Sequence, residues 1–160
     1  MLNIKRIQAV VFDWGETLFE RETNKVFPGA EEVLDFLARK KGLSLAIASI
    51  AASSSMESRF QKLNGSGFWD FISVALFTES HEDKPTLYRN ILGNLMLHPS
   101  NVLAVDDRIV RLDWPIQNGC QTAWLRRGKF KDELPSEETG FPTVTVSSLV
   151  ELIPLFGGAA

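Results

Sequence analysis

Two periods of apolar residues alternate along the chain. Short apolar runs at about 8–13, 43–49, 71–77, 102–106, 122–125 and 143–146 read as strands, several of them apolar on both faces as in a buried parallel sheet. Helical spacing fills the intervals. Pro28-Gly29 opens a helix with Val33, Leu34, Phe36 and Leu37 on one face, ending near Gly42. Ser53 to Ser55 offer N-caps for a helix through Phe60 and Leu63, stopped at Asn64-Gly65. Lys84-Pro85 begins a helix carrying Leu87, Tyr88, Ile91, Leu92 and Leu95. A further helix is predicted over 109–118, distorted or restarted by Pro115, and a closing one over 147–156. Strand and helix in turn predict an α/β fold: a three-layer α/β/α sandwich around a mostly parallel sheet. One core domain over 1–156 is expected, with a frayed tail at 157–160 and no repeat, low-complexity block or linker.

Composition narrows the function classes. The 160 residues are 44% hydrophobic and 23% charged, ordinary for a globular chain with a sizeable core. A net charge of −3 argues against general affinity for nucleic acid or anionic membrane. A single cysteine, Cys120, excludes an internal disulfide framework and is expected to be buried. No apolar run approaches the ~20 residues of a membrane helix. The run after Lys5 and Arg6 stops at Asp13, so it reads as a strand and not as a signal peptide, and a cytoplasmic protein is expected.

The chemistry lies where the strands end. Ala9-Val10-Val11-Phe12 stops in Asp13-Trp14-Gly15-Glu16-Thr17, and Val102-Leu103-Ala104-Val105 stops in Asp106-Asp107. Ligands of open α/β sheets bind beyond the carboxyl ends of the strands. Two strands ending there in carboxylates suit a hard cation and a nucleophile. Ser49 ends a third strand, and Lys84 opens a helix. Taken singly, each has a bland reading: Asp13 and Ser49 as caps, Asp106-Asp107 as a polar turn, Lys84 as a solvated helix start. Trp14 reads equally as a wall of the site or as core, and Trp114 and Trp124 read as core. His81 and Glu82 read as an exposed loop or as a rim reaching the site mouth, and Arg126, Arg127, Lys129 and Lys131 as a solvated edge or as charges that attract an anionic substrate.

The ordered set Asp13…Thr17, Ser49, Lys84-Pro85, Asp106-Asp107 resembles the four motifs of the haloacid dehalogenase (HAD)-like hydrolase superfamily, over residues 8 to about 155. The resemblance implies a HAD-like Rossmannoid fold and a Mg²⁺-dependent phosphatase with Asp13 as nucleophile, forming an aspartyl-phosphate. It implies Mg²⁺ held by Asp13, the Gly15 carbonyl, Asp106 and Asp107, with Asp107 alternatively orienting Lys84. Ser49 and Lys84 would hold the phosphoryl oxygens, and Thr17 would support the loop. The implied partner is a phosphorylated small molecule or macromolecule.

Two departures from the family pattern matter. Its phosphatases carry a second aspartate two places after the nucleophile, as general acid and base; here Gly15 stands there. General acid–base catalysis is worth roughly 10²–10⁴-fold. The loss should be severe for alkyl phosphates and mild for acyl or aryl phosphates, with Glu16 the neighbouring stand-in. There is also no room for a cap domain, which leaves an open site or a lid from a second copy of the chain. Two alternatives stay open: a catalytically impaired phosphate- or protein-binding protein, and a carbon-centred hydrolase such as a dehalogenase.

Overall fold

The apolar run at Ala9–Phe12 forms β1, every residue of it buried, and the rest of the sheet is laid on either side. The computed structural model describes residues 1–52, 54, 57, 58, 61 and 66–159. Around β1 stand β4 (Ser44–Ile50), β5 (Val74–Thr78), β6 (Val102–Asp106), β7 (Gln121–Leu125) and β8 (Val144–Val146), in the order β5-β4-β1-β6-β7-β8. Every neighbouring pair is parallel. The chain winds from β1 outward through β4 and β5, then returns to the other flank through β6. The winding therefore reverses beside β1, and a crevice opens there beyond the strand ends.

Alternate side chains build two unlike faces. Val10, Phe12, Leu45, Ile47, Leu103, Val105 and Leu125 belong to the larger cluster, with Val33, Leu34 and Leu37 of α1 (Ala30–Asp35) and its π-helical continuation Phe36–Lys40. Leu152 and Ile153 of the closing helix α4 (Leu152–Leu155) join them. The other face presents Ala9, Val11, Ala46, Ala48 and Ala104, and meets Leu87, Tyr88 and Ile91 of α2 (Lys84–Leu95). That alanine-rich surface lets α2 lie close on β4 and β5, and it carries the first turn of α2 toward the crevice.

The elements follow the sequence pattern with physically explicable differences. A two-strand hairpin, β2 (Phe19–Glu20) and β3 (Lys25–Val26), follows the β1 loop; strands of two residues carry no period to read. The third predicted strand starts at Val74, because Phe68–Phe71 coil into a 3-10 turn that buries Phe68. The helix predicted over 109–118 is a 3-10 turn, Ile109–Arg111, followed by α3 (Asp113–Gln117), with Pro115 in a first turn that needs no amide donor there. The closing helix is preceded by a turn at Leu149–Glu151, set by a Ser148/Glu151 capping box. Of the helix predicted between 53 and 65, Ser54, Glu57, Ser58 and Gln61 are described and are helical; the rest of it, with the caps at Ser53, Ser55 and Asn64-Gly65, lies outside the described residues. Gly157 and Gly158 of the tail return hydrogen bonds to the carbonyls of Pro154 and Ile153. Between β1 and α1 there is only the hairpin, and between β5 and α2 only a turn, His81–Asp83. No separate cap domain is evident among the described residues.

Trp14 is core. It is fully buried, stacked on Phe19 (5.2 Å, 15°) and Trp69 (5.5 Å, 20°), with Phe68 edge-on at 5.6 Å. Such aromatic pairs contribute about 0.5–1.5 kcal/mol each beyond area burial. They pin the residue next to Asp13 and so fix the loop that leaves β1. Trp124 and Cys120 are buried as expected, whereas Trp114 is half-buried, stacked on Tyr88 at 5.7 Å. α3 is one and a half turns long, too short to cover Trp114 from outside.

Gly29 starts α1 at φ +81°, and a Cβ there would lie 2.6 Å from Val150 Cγ1. Gly29→Ala combines left-handed strain with overlap against the turn that precedes α4. It is expected to destabilise the protein by about 2–4 kcal/mol, read as a lower urea midpoint at unchanged m-value.

Candidate active site

Asp13 stands one residue past β1, and its amide donates to the Val105 carbonyl at 2.9 Å, continuing the ladder to β6. Asp106 ends β6, and its Oδ1 accepts the Arg108 amide at 2.9 Å. Lys84, at the first turn of α2, bridges the two strands: Nζ lies 3.2 Å from Asp13 Oδ1 and 2.5 Å from Asp106 Oδ2. Asp107 sits beside them, its Oδ1 3.4 Å from the Thr17 hydroxyl, which donates to it. Ser49, on the last turn of the pleat in β4, is buried with no partner for Oγ, and Asp13 Oδ2 is likewise buried and unpartnered. The structure thus gathers Asp13, Thr17, Ser49, Lys84, Asp106 and Asp107 at the carboxyl edge, around the reversal point of the winding.

Three buried carboxylates share one ammonium. Burial and the Asp106 charge raise the Asp13 pKa, against the pull of Lys84. Burial, with Asp106 and Asp13, pushes Asp107 up to about 8. Burial alone would lower Lys84, but Asp106 and Asp13 override it and hold the ammonium charged. One oxygen from each of Asp13, Asp106 and Asp107 falls within 4.8 Å of the others. An all-oxygen donor set with surplus negative charge and a free carboxylate oxygen fits a hard divalent cation such as Mg²⁺.

Gly15 is buried in the loop after Trp14, and its side-chain direction is taken by another residue. A Cβ at Gly15 would lie 2.8 Å from Arg21 Nη2 and 3.1 Å from Nε. Arg21 comes from the hairpin, just after β2. Glu16 holds it there, with Oε1 accepting the Arg21 amide at 3.0 Å, while its own backbone sits at φ +63°. Glu16 is therefore engaged by the hairpin. Arg127 stacks on Phe27 at 3.7 Å and donates to the Thr17 carbonyl at 2.7 Å, so it clamps the loop that follows β1. Arg126 lies over Trp124 and donates to the Lys131 carbonyl, and Lys129 and Lys131 are exposed.

Two neighbours had not been expected. Arg111 ends the turn after β6, and its charge acts on both Asp13 and Asp107. Its Nη2 lies 3.3 Å from His81 Nε2, and burial with the Arg111 charge lowers the His81 pKa. Tyr88 was read as apolar surface of α2, yet its hydroxyl is buried without a partner. The signal for Arg111 was its placement close in sequence to Asp107, in the short segment that leaves β6.

A parallel sheet with a buried Asp–Lys–Asp cluster at its winding reversal is an open α/β fold with its charged centre in the crevice beyond the strand ends. The haloacid dehalogenase-like hydrolase model matches residues 18–113, and the chain belongs to that family. The matched segment holds Ser49, Lys84, Asp106 and Asp107. Among solved structures the chain is similar to the L-2-haloacid dehalogenase RSc1362, with TM-score 0.76 and 15% identity over 95% of this chain and 99% of that one. It is similar also to a D,D-heptose 1,7-bisphosphate phosphatase from B. bronchiseptica complexed with magnesium and phosphate (TM-score 0.72, 13% identity, 91% and 96% covered). A third is the L-2-haloacid dehalogenase from Xanthobacter autotrophicus with chloropropionic acid covalently bound (TM-score 0.70, 16% identity, 96% and 100% covered). At these identities the likeness shows the fold. No curated protein sequence matches the chain. No helix among the described residues is long and apolar enough to cross a membrane.

The raised carboxyls set a pH dependence. A carboxyl whose folded pKa exceeds its ordinary 3.8 keeps its proton longer when folded, so stability is full at low pH and falls as pH rises toward about 8 for Asp107. His81 acts oppositely, but only below its ordinary 6.5. Without divalent cation, the melting temperature is expected to fall between pH 6.5 and 8. Added Mg²⁺ binds the ionised carboxylates and should raise it most at pH 8. A flat profile with no Mg²⁺ effect contradicts this account of the cluster.

Proposed function

We propose that the protein is a Mg²⁺-dependent phosphatase that works through an aspartyl-phosphate on Asp13. The observation that carries this reading is the surplus of buried carboxylate around one lysine. Displacement at carbon by an aspartate requires no cation, whereas bringing a phosphoryl dianion to an aspartate does. Bound by Asp13, Asp106, Asp107 and the Gly15 carbonyl, Mg²⁺ would offset the repulsion between nucleophile and phosphoryl group.

The side chains divide the remaining work. Lys84 engages Oδ1 of Asp13 and leaves Oδ2 free. A bond from Oδ2 to phosphorus forms as the ester P–O bond breaks, and the leaving oxygen departs with its electron pair. The Ser49 hydroxyl, without a protein partner, is available to donate to a phosphoryl oxygen, and Lys84 supplies charge beside it. Water then attacks the phosphorus as the bond to Oδ2 breaks; the electron pair returns to the Asp13 carboxylate, and the water's protons leave with the inorganic phosphate. Thr17 and Arg127 hold the loop in place through both steps.

No side chain at Gly15 protonates the leaving oxygen, and Arg21 covers that direction. Groups that leave without a proton are therefore the expected substrates. A reading as a binding protein that has lost turnover rests on the same glycine; the intact cluster and the two free oxygens favour chemistry.

Mg²⁺-dependent release of inorganic phosphate is expected from an aryl and an acyl phosphate, and little from a sugar phosphate. Asp13→Asn should abolish it; unchanged turnover, or halide release from a haloacid with no phosphatase activity, overturns the proposal. Gly15→Asp alone should add little, because Arg21 pairs with the new carboxylate and keeps it ionised. Gly15→Asp with Arg21→Ala should raise turnover of alkyl phosphates by about 10²-fold, in a steady-state assay against the wild-type chain.

A further inference from the structure

Beside the cluster lies a cavity of about 300 Å³, between the start of α2 and the Ile109–Arg111 turn. Lys84 belongs to both, so the cavity adjoins the candidate active site. Tyr88 and Trp114, stacked on each other, form its flat wall, and Val110 adds an exposed apolar edge.

Two polar groups in the lining are unsatisfied. The Tyr88 side chain is 1% exposed, and its hydroxyl has no partner. Burial raises its pKa, so the hydroxyl stays a donor. Arg111 is half-buried, its Nε is buried without a partner, and it forms no ion pair among the described residues. A guanidinium held this way beside Trp114 and Tyr88 has donors left for an anion. His81 accepts or faces one arm of it and stays neutral more readily there than in water. Glu82 and Asp113 also line the mouth, both exposed, where water screens their charge.

We propose that this cavity is the subsite for the leaving group of the substrate, and that Arg111 selects a phosphomonoester carrying a second anionic group. The inference rests on the phosphatase reading for what occupies the neighbouring centre. The second anion is a carboxylate or a further phosphate; the guanidinium geometry serves both. The stacked rings of Tyr88 and Trp114 cover the apolar side of the connecting body.

Calorimetric binding to the Asp13→Asn protein with Mg²⁺ tests this without turnover. Two pairs of aryl phosphates differ in the second anion: 4-carboxyphenyl phosphate against phenyl phosphate for a carboxylate, and hydroquinone bisphosphate against 4-hydroxyphenyl phosphate for a phosphate. The anionic member of at least one pair should bind about tenfold tighter or more, the increment of one charged hydrogen bond. The pair that shows it identifies the anion. Arg111→Met should erase that preference, and Arg111→Lys should restore part of it. Equal affinity within both pairs, or a preference that survives Arg111→Met, overturns the proposal. No phosphate release from an aryl phosphate by the wild-type protein, with the preference intact, would instead count against the phosphatase reading alone. No binding of any of the four ligands overturns both.

Discussion

Lys84 lies between Asp13 and Asp106, 3.2 and 2.5 Å from them, in a place where water does not reach. The strand order follows from that constraint as much as from apolar burial. Two carboxylates at the ends of adjacent strands repel each other, and stripping a buried ion pair of one partner costs about 3–5 kcal/mol. One ammonium for three carboxylates leaves charge uncompensated. The excess surfaces as a raised Asp13 and an Asp107 pushed to about 8. A fold optimised for stability alone would not place three acids there, and their cost is the physical trace of a function.

The scaffold exists to hold that cluster still. Alanines on one sheet face let α2 approach β4 and β5, which sets the height at which Lys84 meets the strand ends. On the other face, bulky residues and the Trp14, Phe19, Phe68 and Trp69 stack anchor the loop beyond β1. Arg127 ties the same loop to β7 through the Thr17 carbonyl, and Arg108, paired with Glu133 at 2.6 Å, ties the turn after β6 to the segment that follows β7. The nucleophile loop and the acid-bearing turn are thus braced by cations from two sides, and neither cation enters the cluster.

The strands and the six chemical residues were legible because their signals are local: an apolar run, then a carboxylate, serine or lysine at its end. Membership of the haloacid dehalogenase-like hydrolases followed from four such signals in order, and the sheet order agrees with it. What escaped depends on contacts distant in sequence. Nothing local says that Arg21 fills the space over Gly15, that the Tyr88 hydroxyl is buried without a partner, or that Arg111 reaches back toward Asp13. The hairpin was too short to show a period, and Trp114 looked like core because its exposure is set by the brevity of α3. Glu16 looked available as an acid until the hairpin placed an amide and a guanidinium against it.

On the proposed aspartyl-phosphate reading, a centre with no side chain at Gly15 to activate water should form its intermediate faster than it clears it. Intact mass spectrometry after acid quench, with Mg²⁺ and an acyl phosphate, measures this directly. The account predicts that one phosphoryl group accumulates on the wild-type chain, maps to Asp13, and is missing from Asp13→Asn. A chain that stays unmodified while Mg²⁺ binds and phosphate is released, or one that carries the group on another residue, would contradict the assignment of Asp13 as nucleophile.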